Sequence, residues 1–414
     1  MTIAATTSPR EAARCTWDAV VVGAGPAGAM AARELARRGL TVLLVDRATF
    51  PRWKVCGCCL NAHALATLQA AGLRELVPQC GAVPLREICL AAVGRDARLP
   101  LSGGVSLSRE TFDAALVRAA VEEGAAFLPQ THASLAPSTA NCGTRTIELS
   151  AVGGGAPAVE RVAARVVLVA DGLSGKLVAR AGVSGVAAAP GARIGAGVVA
   201  AEGPTFYSAG TIYMACGRDG YLGLVRLEDG RLDLAAALDP VWVRGCGGPG
   251  HAATQLLAEV GWPTVPRLAE LGWRGTPALT RRARRLAAER LFLLGDAAGY
   301  IEPFTGEGMA WALASARAVA PLAARAVQRW HPKLTWEWGE AYRELIGRRQ
   351  LVCRFISGVL RSPHLTRTLI YLLAYAPALA APVVRYLGCA EIRNPKSEIR
   401  KKSQSPNPKL QMGL

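Results

Sequence analysis

Three acids in this 414-residue chain stand where a short apolar run stops. Asp46 closes "TVLLVD", Asp171 closes "VVLVAD" and Asp296 closes "LFLLGD". A carboxylate at the carboxyl end of a buried strand can accept hydrogen bonds from hydroxyls of a ligand lying across the strand ends. Cations and thiols follow the first acid: "PRWKVCGCCLNAH" supplies Arg52, Lys54, Cys56, Cys58, Cys59 and His63. That set carries three readings. The cysteines could ligate a metal with His63, but two separated C-x-x-C pairs are missing and we assign no metal. Cys56 could be a redox or proton-handling thiol, activated by Lys54 and Arg52. The small thiols could also simply pack a tight wall.

The elements that must position these groups are legible nearby. "DAVVVGAGPAGAMAARELARRGLTVLLVD" reads strand, tight turn, helix, strand, acid. It contains Gly23-x-Gly25-x-x-Gly28, with Asp46 18 residues past Gly28. Gly23 permits the turn, Gly25 lets backbone approach a pyrophosphate, and Gly28 lets helix pack on strand. The helix N-terminus offers free N–H groups to phosphates, and Asp46 can accept from a ribose diol. Pro26, Ala27 and Arg47 are assigned to the same dinucleotide. A second G-x-G-x-x-G, Gly245 to Gly250, lacks this context: Pro240, Trp242 and Arg244 precede it, and no strand ending in an acid follows. We read it as a loop, so the chain has a single dinucleotide fold and no separate nicotinamide domain.

"LSRETFDAALVRAAVEEG" places Phe112, Leu116, Val117, Ala120 and Val121 on one helical face. Residues 193–238 hold strand-like segments split by Gly, Pro and Asp-Gly turns, which predicts an antiparallel sheet. The expected fold class is α/β: a Rossmann-like domain interleaved with an antiparallel β-sheet substrate domain, plus a C-terminal helical region. The expected boundaries are 1–15, a disordered leader; 16–60, 105–185 and 285–328, the discontinuous dinucleotide domain; 61–104 and 186–284, the substrate domain; 329–390, the helical region; and 391–414, a disordered polar tail.

Net charge is +17, of which the tail supplies six Lys/Arg against two Glu. A basic body favours phosphates, an anionic cofactor or an anionic membrane face. No zinc finger or RNA-recognition sequence is present, so nucleic acid is not expected as a partner. Eleven scattered cysteines and a first 16 residues without an apolar core predict free thiols in a cytoplasmic setting. Residues 369–387 are apolar but broken by Pro377, Pro382 and Arg385, after a stretch alternating basic and apolar positions. This segment reads either as a helix pair around a core or substrate tunnel, or as an interfacial anchor on the inner face of the membrane.

Together these motifs resemble the FAD-dependent oxidoreductases of the para-hydroxybenzoate-hydroxylase-like superfamily, closest to the geranylgeranyl-reductase-like branch, over residues 16–327. The resemblance implies that Gly295-Asp296 binds the flavin ribityl and phosphate region, and that Asp171-Gly172 packs beside the pyrophosphate. It also implies that Arg109 closes over the FAD, and that Pro303, Gly306, Gly308 and Met309 lie by the isoalloxazine ring. There the start of a helix would stabilise the negative charge of reduced flavin. Lys54 and Cys56 match the family's K-x-C-G segment and are assigned as catalytic. Here Cys58-Cys59 replace the usual small pair, and Asn61 replaces a serine. The implied activity is flavin hydride transfer to a C=C bond of a hydrophobic, isoprenoid or polyketide-like lipid, with NAD(P)H as electron donor. Hydroxylation of an aromatic or lipidic substrate is the alternative, and a non-enzymatic electron relay a second. The halogenase pattern W-x-W-x-I-P fails, because Gly339-Glu340 follow Trp336-Glu337-Trp338.

Overall fold

The computed structural model describes residues 2–136, 143–153, 159–180, 185–302, 304 and 306–382. The Thr16–Val22 strand is the axis of the first sheet. It pairs in parallel with Glu160–Val169 on one side and with Val42–Val45 on the other. Leu291–Leu293 extends the sheet beyond the first of these, and Ala126–Leu128 beyond the second, again in parallel. The Val and Leu runs suit strands covered on both faces, and residues 19–22, 42–45 and 291–293 are all buried. Helices Pro26–Ala36, Arg109–Glu122 and Gly308–Gln328 pack together over this sheet. Fully buried Ala29, Ala32, Ala310 and Ala316 leave little bulk between them, so backbones can approach closely.

The second sheet has seven strands, in the order Arg274–Ala278, Ile194–Ala200, Leu232–Leu238, Gly220–Arg226, Thr211–Cys216, Glu87–Ala92 and Arg95–Pro100. Within residues 193–238 the pairs are antiparallel, as the turn pattern predicts; the one parallel pair, Thr211–Cys216 with Glu87–Ala92, brings in a strand from outside that range. The cause is connectivity, since these two strands come from distant segments rather than one hairpin. Period-two alternation gives the sheet two apolar faces. Tyr213, Ala215 and Leu222 face the Pro249–Val260 helix. Leu90, Met214, Cys216 and Tyr221 face Leu360, Ile370 and Leu373 of the C-terminal helices.

Three expectations need correction. The leader is ordered from residue 2: Ile3 N–H donates to Phe50 and Thr6 N–H to Phe127, and Ser8 caps a short helix, Pro9–Ala12. Residues 61–80 do not join the substrate sheet. The Ala62–Ala70 helix buries Ala64 and Leu68 in the core of the first domain, against the Gly308–Gln328 helix. Gly245 to Gly250 is no extended loop but the junction of two helices, Pro240–Gly245 and Pro249–Val260; no strand leads into it. Residues 391–414 lie outside the described residues. No described helix is long and apolar enough to cross a membrane.

Candidate functional site

Two of the three glycines of the first turn are fixed by packing and the third by what lies above it. Gly23 has φ +100°, and a Cβ there would stand 2.3 Å from the Ala170 carbonyl oxygen. A Cβ on Gly28 would stand 1.7 Å from the Gly23 oxygen. At Gly25 the nearest atoms would be the guanidinium nitrogens of Arg52 and Arg109, at 3.6 and 3.8 Å. Gly25 therefore faces space roofed by two cations, at the N-terminus of an 11-residue helix. That is an anion cradle, and it fits a diphosphate. Arg52 was read in the sequence only as a neighbour of the thiols, and nothing in the spacing pointed to its place over Gly25.

Asp46 holds the turn and lies 3.9 Å from Arg52 Nη2. Its Oδ2 accepts from Ala24 N–H at 2.7 Å and its Oδ1 from Ala48 N–H at 2.8 Å. Arg47 is exposed at the cavity rim. Arg109 donates from Nε and Nη2 to Asp113 at 2.8 and 2.7 Å, and Arg52 pairs with the same carboxylate at 3.3 Å. Asp113 is fully buried, so one carboxylate orients both guanidiniums.

Beside the cradle, Asp171 accepts from Leu177 N–H through Oδ2, while its buried Oδ1 has no protein partner among the described residues. Burial raises its pKa, opposed by that hydrogen bond, by its own backbone N–H, and by Lys54 and Arg47. An acceptor left open at a strand end suits a ligand hydroxyl. Gly172, at φ +74°, lets the Lys54 amine come within 3.1 Å of where its Cβ would be. Enclosure lowers the Lys54 pKa, Arg109 and Arg52 push the same way, and Asp296 and Asp113 oppose them. Burial raises the pKa of Asp296 against the pull of Lys54 and Arg109.

Gly295, at φ +57°, donates its N–H to Ser315 Oγ at 3.0 Å, and its turn rests on the first helix at Ala27. Gly306, at φ +67°, leads into the Gly308–Gln328 helix, whose Met309 is buried. Pro303 lies outside the described residues. The sequence analysis did not foresee Glu307, which caps this helix region from a buried position. It accepts from Asn61 Nδ2 at 2.9 Å and pairs with Arg349 at 3.1 Å. Asn61 also accepts from Ala64 N–H at 2.9 Å as a helix cap.

The three thiols line one wall of the cavity, with Cys58 forced to φ 51°. They differ sharply. A hydrogen bond from Cys58 and the charge of Arg109 pull the Cys56 pKa down to about 6 against burial. Cys58 is pushed up by its bond to Cys56, by burial and by buried Asp233; Cys59 is pushed up by burial, then Asp233. No group of three or more potential metal ligands comes together among the described residues. His63 is buried, and burial followed by Arg349 lowers its pKa to about 4.

Gly25, Asp171, Asp296, Gly306 and Met309 open onto one cavity of ≈820 Å³, which continues from the cradle to the apolar face of the second sheet. Ile88, Leu99 and Met214 line the sheet side, and Ile356, Ile370 and Leu373 the helical side. The cavity has room for an extended ligand between the cationic cradle and the late helix start, next to an apolar chamber.

Comparison with known proteins agrees. Residues 16–209 match the FAD binding domain family. Menaquinone reductase of Mycobacterium tuberculosis is 57% identical over 56 residues, a stretch spanning 14% of this chain and 14% of that protein's own length. Digeranylgeranylglycerophospholipid reductase 2 of Methanopyrus kandleri is 28% identical over 334 residues, 75% of this chain and 78% of that protein. A geranylgeranyl bacteriochlorophyll reductase-like protein of Thermoplasma acidophilum superposes with a TM-score of 0.73 at 18% identity, covering 93% of this chain and 99% of that one. At such identity the superposition speaks for the fold alone. The chain is thus similar to the FAD binding domain family over residues 16–209, and to a digeranylgeranylglycerophospholipid reductase over three quarters of its length.

Proposed function

We propose that this protein reduces a carbon–carbon double bond in a hydrophobic, isoprenoid- or polyketide-like lipid, with FAD as the resident cofactor and NAD(P)H as the electron donor. The observation that carries the proposal is the single cavity of ≈820 Å³ joining the anion cradle to an apolar chamber. Two matched relatives, named for menaquinone and digeranylgeranylglycerophospholipid, act by name on molecules with isoprenoid chains.

When bound, reduced flavin supplies a hydride to the substrate. The chain's own residues do the rest. Arg52 and Arg109 would hold the diphosphate, Asp46 would accept from the ribose hydroxyls, Asp296 and Asp171 would accept from the ribityl and neighbouring ligand hydroxyls, and the apolar walls exclude water from the alkene. Lys54 Nζ holds a proton at the cavity wall, beside Cys56, whose lowered pKa favours the thiolate. The lowered pKa of Lys54 makes it the better donor to the carbon that does not receive the hydride.

The test is mass analysis of products from the flavin-loaded protein, with NADH or NADPH and a panel of isoprenoid, quinone and polyketide lipids. A gain of two hydrogens is expected. A gain of one oxygen overturns reduction in favour of hydroxylation, and electron transfer to a partner protein with every lipid unchanged marks a relay.

A further inference from the structure

The C-terminal helices are two-sided. Their inner sides line the cavity with Val352, Ile356, Ile370 and Leu373. Their outer sides are also apolar. In the Pro363–Tyr375 helix, Leu365, Leu369, Leu372 and Tyr375 recur at i, i+4, i+7 and i+10, one exposed stripe. On Arg348–Val359, Leu351 is 63% and Phe355 73% exposed, and Tyr375 reaches 88%. A helix apolar on both sides needs a cover for each, and the second sheet covers only one.

Charge says what the other cover is. Residues 345–382 contain five arginines and no Asp, Glu or Lys. Arg349 pairs with Glu307 and Arg361 with Glu302, while Arg348, Arg354 and Arg367 stand exposed beside the apolar stripe. Exposed Glu344 and Asp96 lie at its margins, but an apolar face whose own helices carry only cations matches an anionic bilayer surface, where acyl chains take the side chains and headgroup phosphates the guanidiniums.

We propose that the outer face of these two helices docks on the surface of an anionic membrane, and that the lipid substrate passes from the bilayer between them into the cavity. Entry by this route rests on the function proposed above; docking does not. Leu369, Phe355 and Leu379 belong to both surfaces, being exposed outside and lining the cavity. The distance from bilayer to chamber is therefore about one side chain.

The experiment is co-sedimentation of the flavin-loaded full chain with vesicles of phosphatidylcholine and phosphatidylglycerol, and with phosphatidylcholine alone. Binding is expected to the anionic vesicles, and to weaken as NaCl rises from about 0.05 M to about 0.5 M, where screening shortens the reach of the arginines. The triple variant Leu351→Ser/Leu372→Ser/Tyr375→Ser removes only outward side chains that do not line the cavity. It should keep its flavin and bind anionic vesicles at least about tenfold less. Wild-type protein that stays in the supernatant overturns the proposal, as does a triple variant that sediments like wild type. A wild-type dimer that the triple variant turns into a monomer also overturns it, since the face would then belong to a second copy. Sedimentation needs no turnover, so a failure of docking is read separately from a failure of alkene reduction, which detergent-dispersed lipid tests.

Discussion

A Cβ on Gly295 would stand 2.8 Å from the Cβ of Ala27, so the turn that ends the last strand of the first sheet rests directly on the helix that opens the cradle. Two ligand-facing turns from opposite ends of the sequence are thereby set at one fixed spacing. Any substitution that loosens either should be felt at both.

Gly25 separates cofactor binding from folding. Its φ of −75° suits any residue, and its Cβ would meet only guanidinium nitrogens at ordinary contact distance. Gly25→Ala should fold with an unchanged melting temperature yet bind FAD roughly 10- to 100-fold more weakly, because the methyl occupies the approach of the diphosphate. Gly28→Ala, with a clash against the Gly23 backbone at 1.7 Å, should fail to fold. Flavin per chain after gel filtration, read beside thermal unfolding, checks both.

Ser315 is fully buried; it accepts from Gly295 N–H at 3.0 Å and donates to Ala312 at 2.9 Å. Ser315→Ala leaves the Gly295 N–H without its partner. A stability loss of about 1–3 kcal/mol is expected, together with weaker flavin retention. Denaturant unfolding of the apoprotein measures the first and fluorescence of released flavin the second. A change in neither would remove Ser315 from the support of this turn.

Asp113 holds Arg109 and Arg52 from a fully buried position. Asp113→Asn leaves Arg109 without its counter-charge and Arg52 with only Asp46, at 3.9 Å. It should cost roughly 3–5 kcal/mol. Added FAD should restore part of this loss, because the diphosphate replaces the missing negative charge. Melting curves with and without FAD test this.

Cys56 should be the thiol that reacts first. With its pKa near 6, the rate of alkylation by iodoacetamide should rise with a midpoint near pH 6, while Cys58 and Cys59 stay inert at neutral pH. The sign for stability follows from a depressed thiol: the thiolate's contribution is full above its ordinary pKa near 9, shrinks as pH falls, and is gone below about 6. Arg109→Met should move the reaction midpoint upward. Peptide mapping of the alkylated protein across pH reads all three thiols at once. Cys56→Ser should keep flavin and alter turnover; unchanged rates would return Cys56 to a packing role.

Local rules carried the sequence a long way. The first turn, its helix and Asp46 were legible because their causes lie within one stretch: a positive-φ glycine, a helix start and an acid at the next strand end. Gly295-Asp296 was legible because a strand and a long Ala-rich helix bracket it. What escaped depends on partners far off in the chain. Arg52 reaches the cradle only because the loop after the second strand folds back under Asp113. Glu307 means nothing without Asn61 and Arg349, which arrive from two other elements. The leader looked disordered because its order consists of backbone bonds to Phe50 and Phe127, which leave no periodicity in its own residues. The 61–80 stretch was misplaced because its apolar face is correct for either core.

Leu291–Leu293 enters the first sheet beside Glu160–Val169, and the turn and helix start that follow it complete the cavity's ring end. Biosynthesis runs from the other end. On the function proposed above, a growing polypeptide has the first turn and its helix early, but the Gly306–Met309 end of the cavity only after the Leu291–Leu293 strand has been made. Polypeptides that end before Leu291 should thus fail to retain FAD, which flavin content after gel filtration reads.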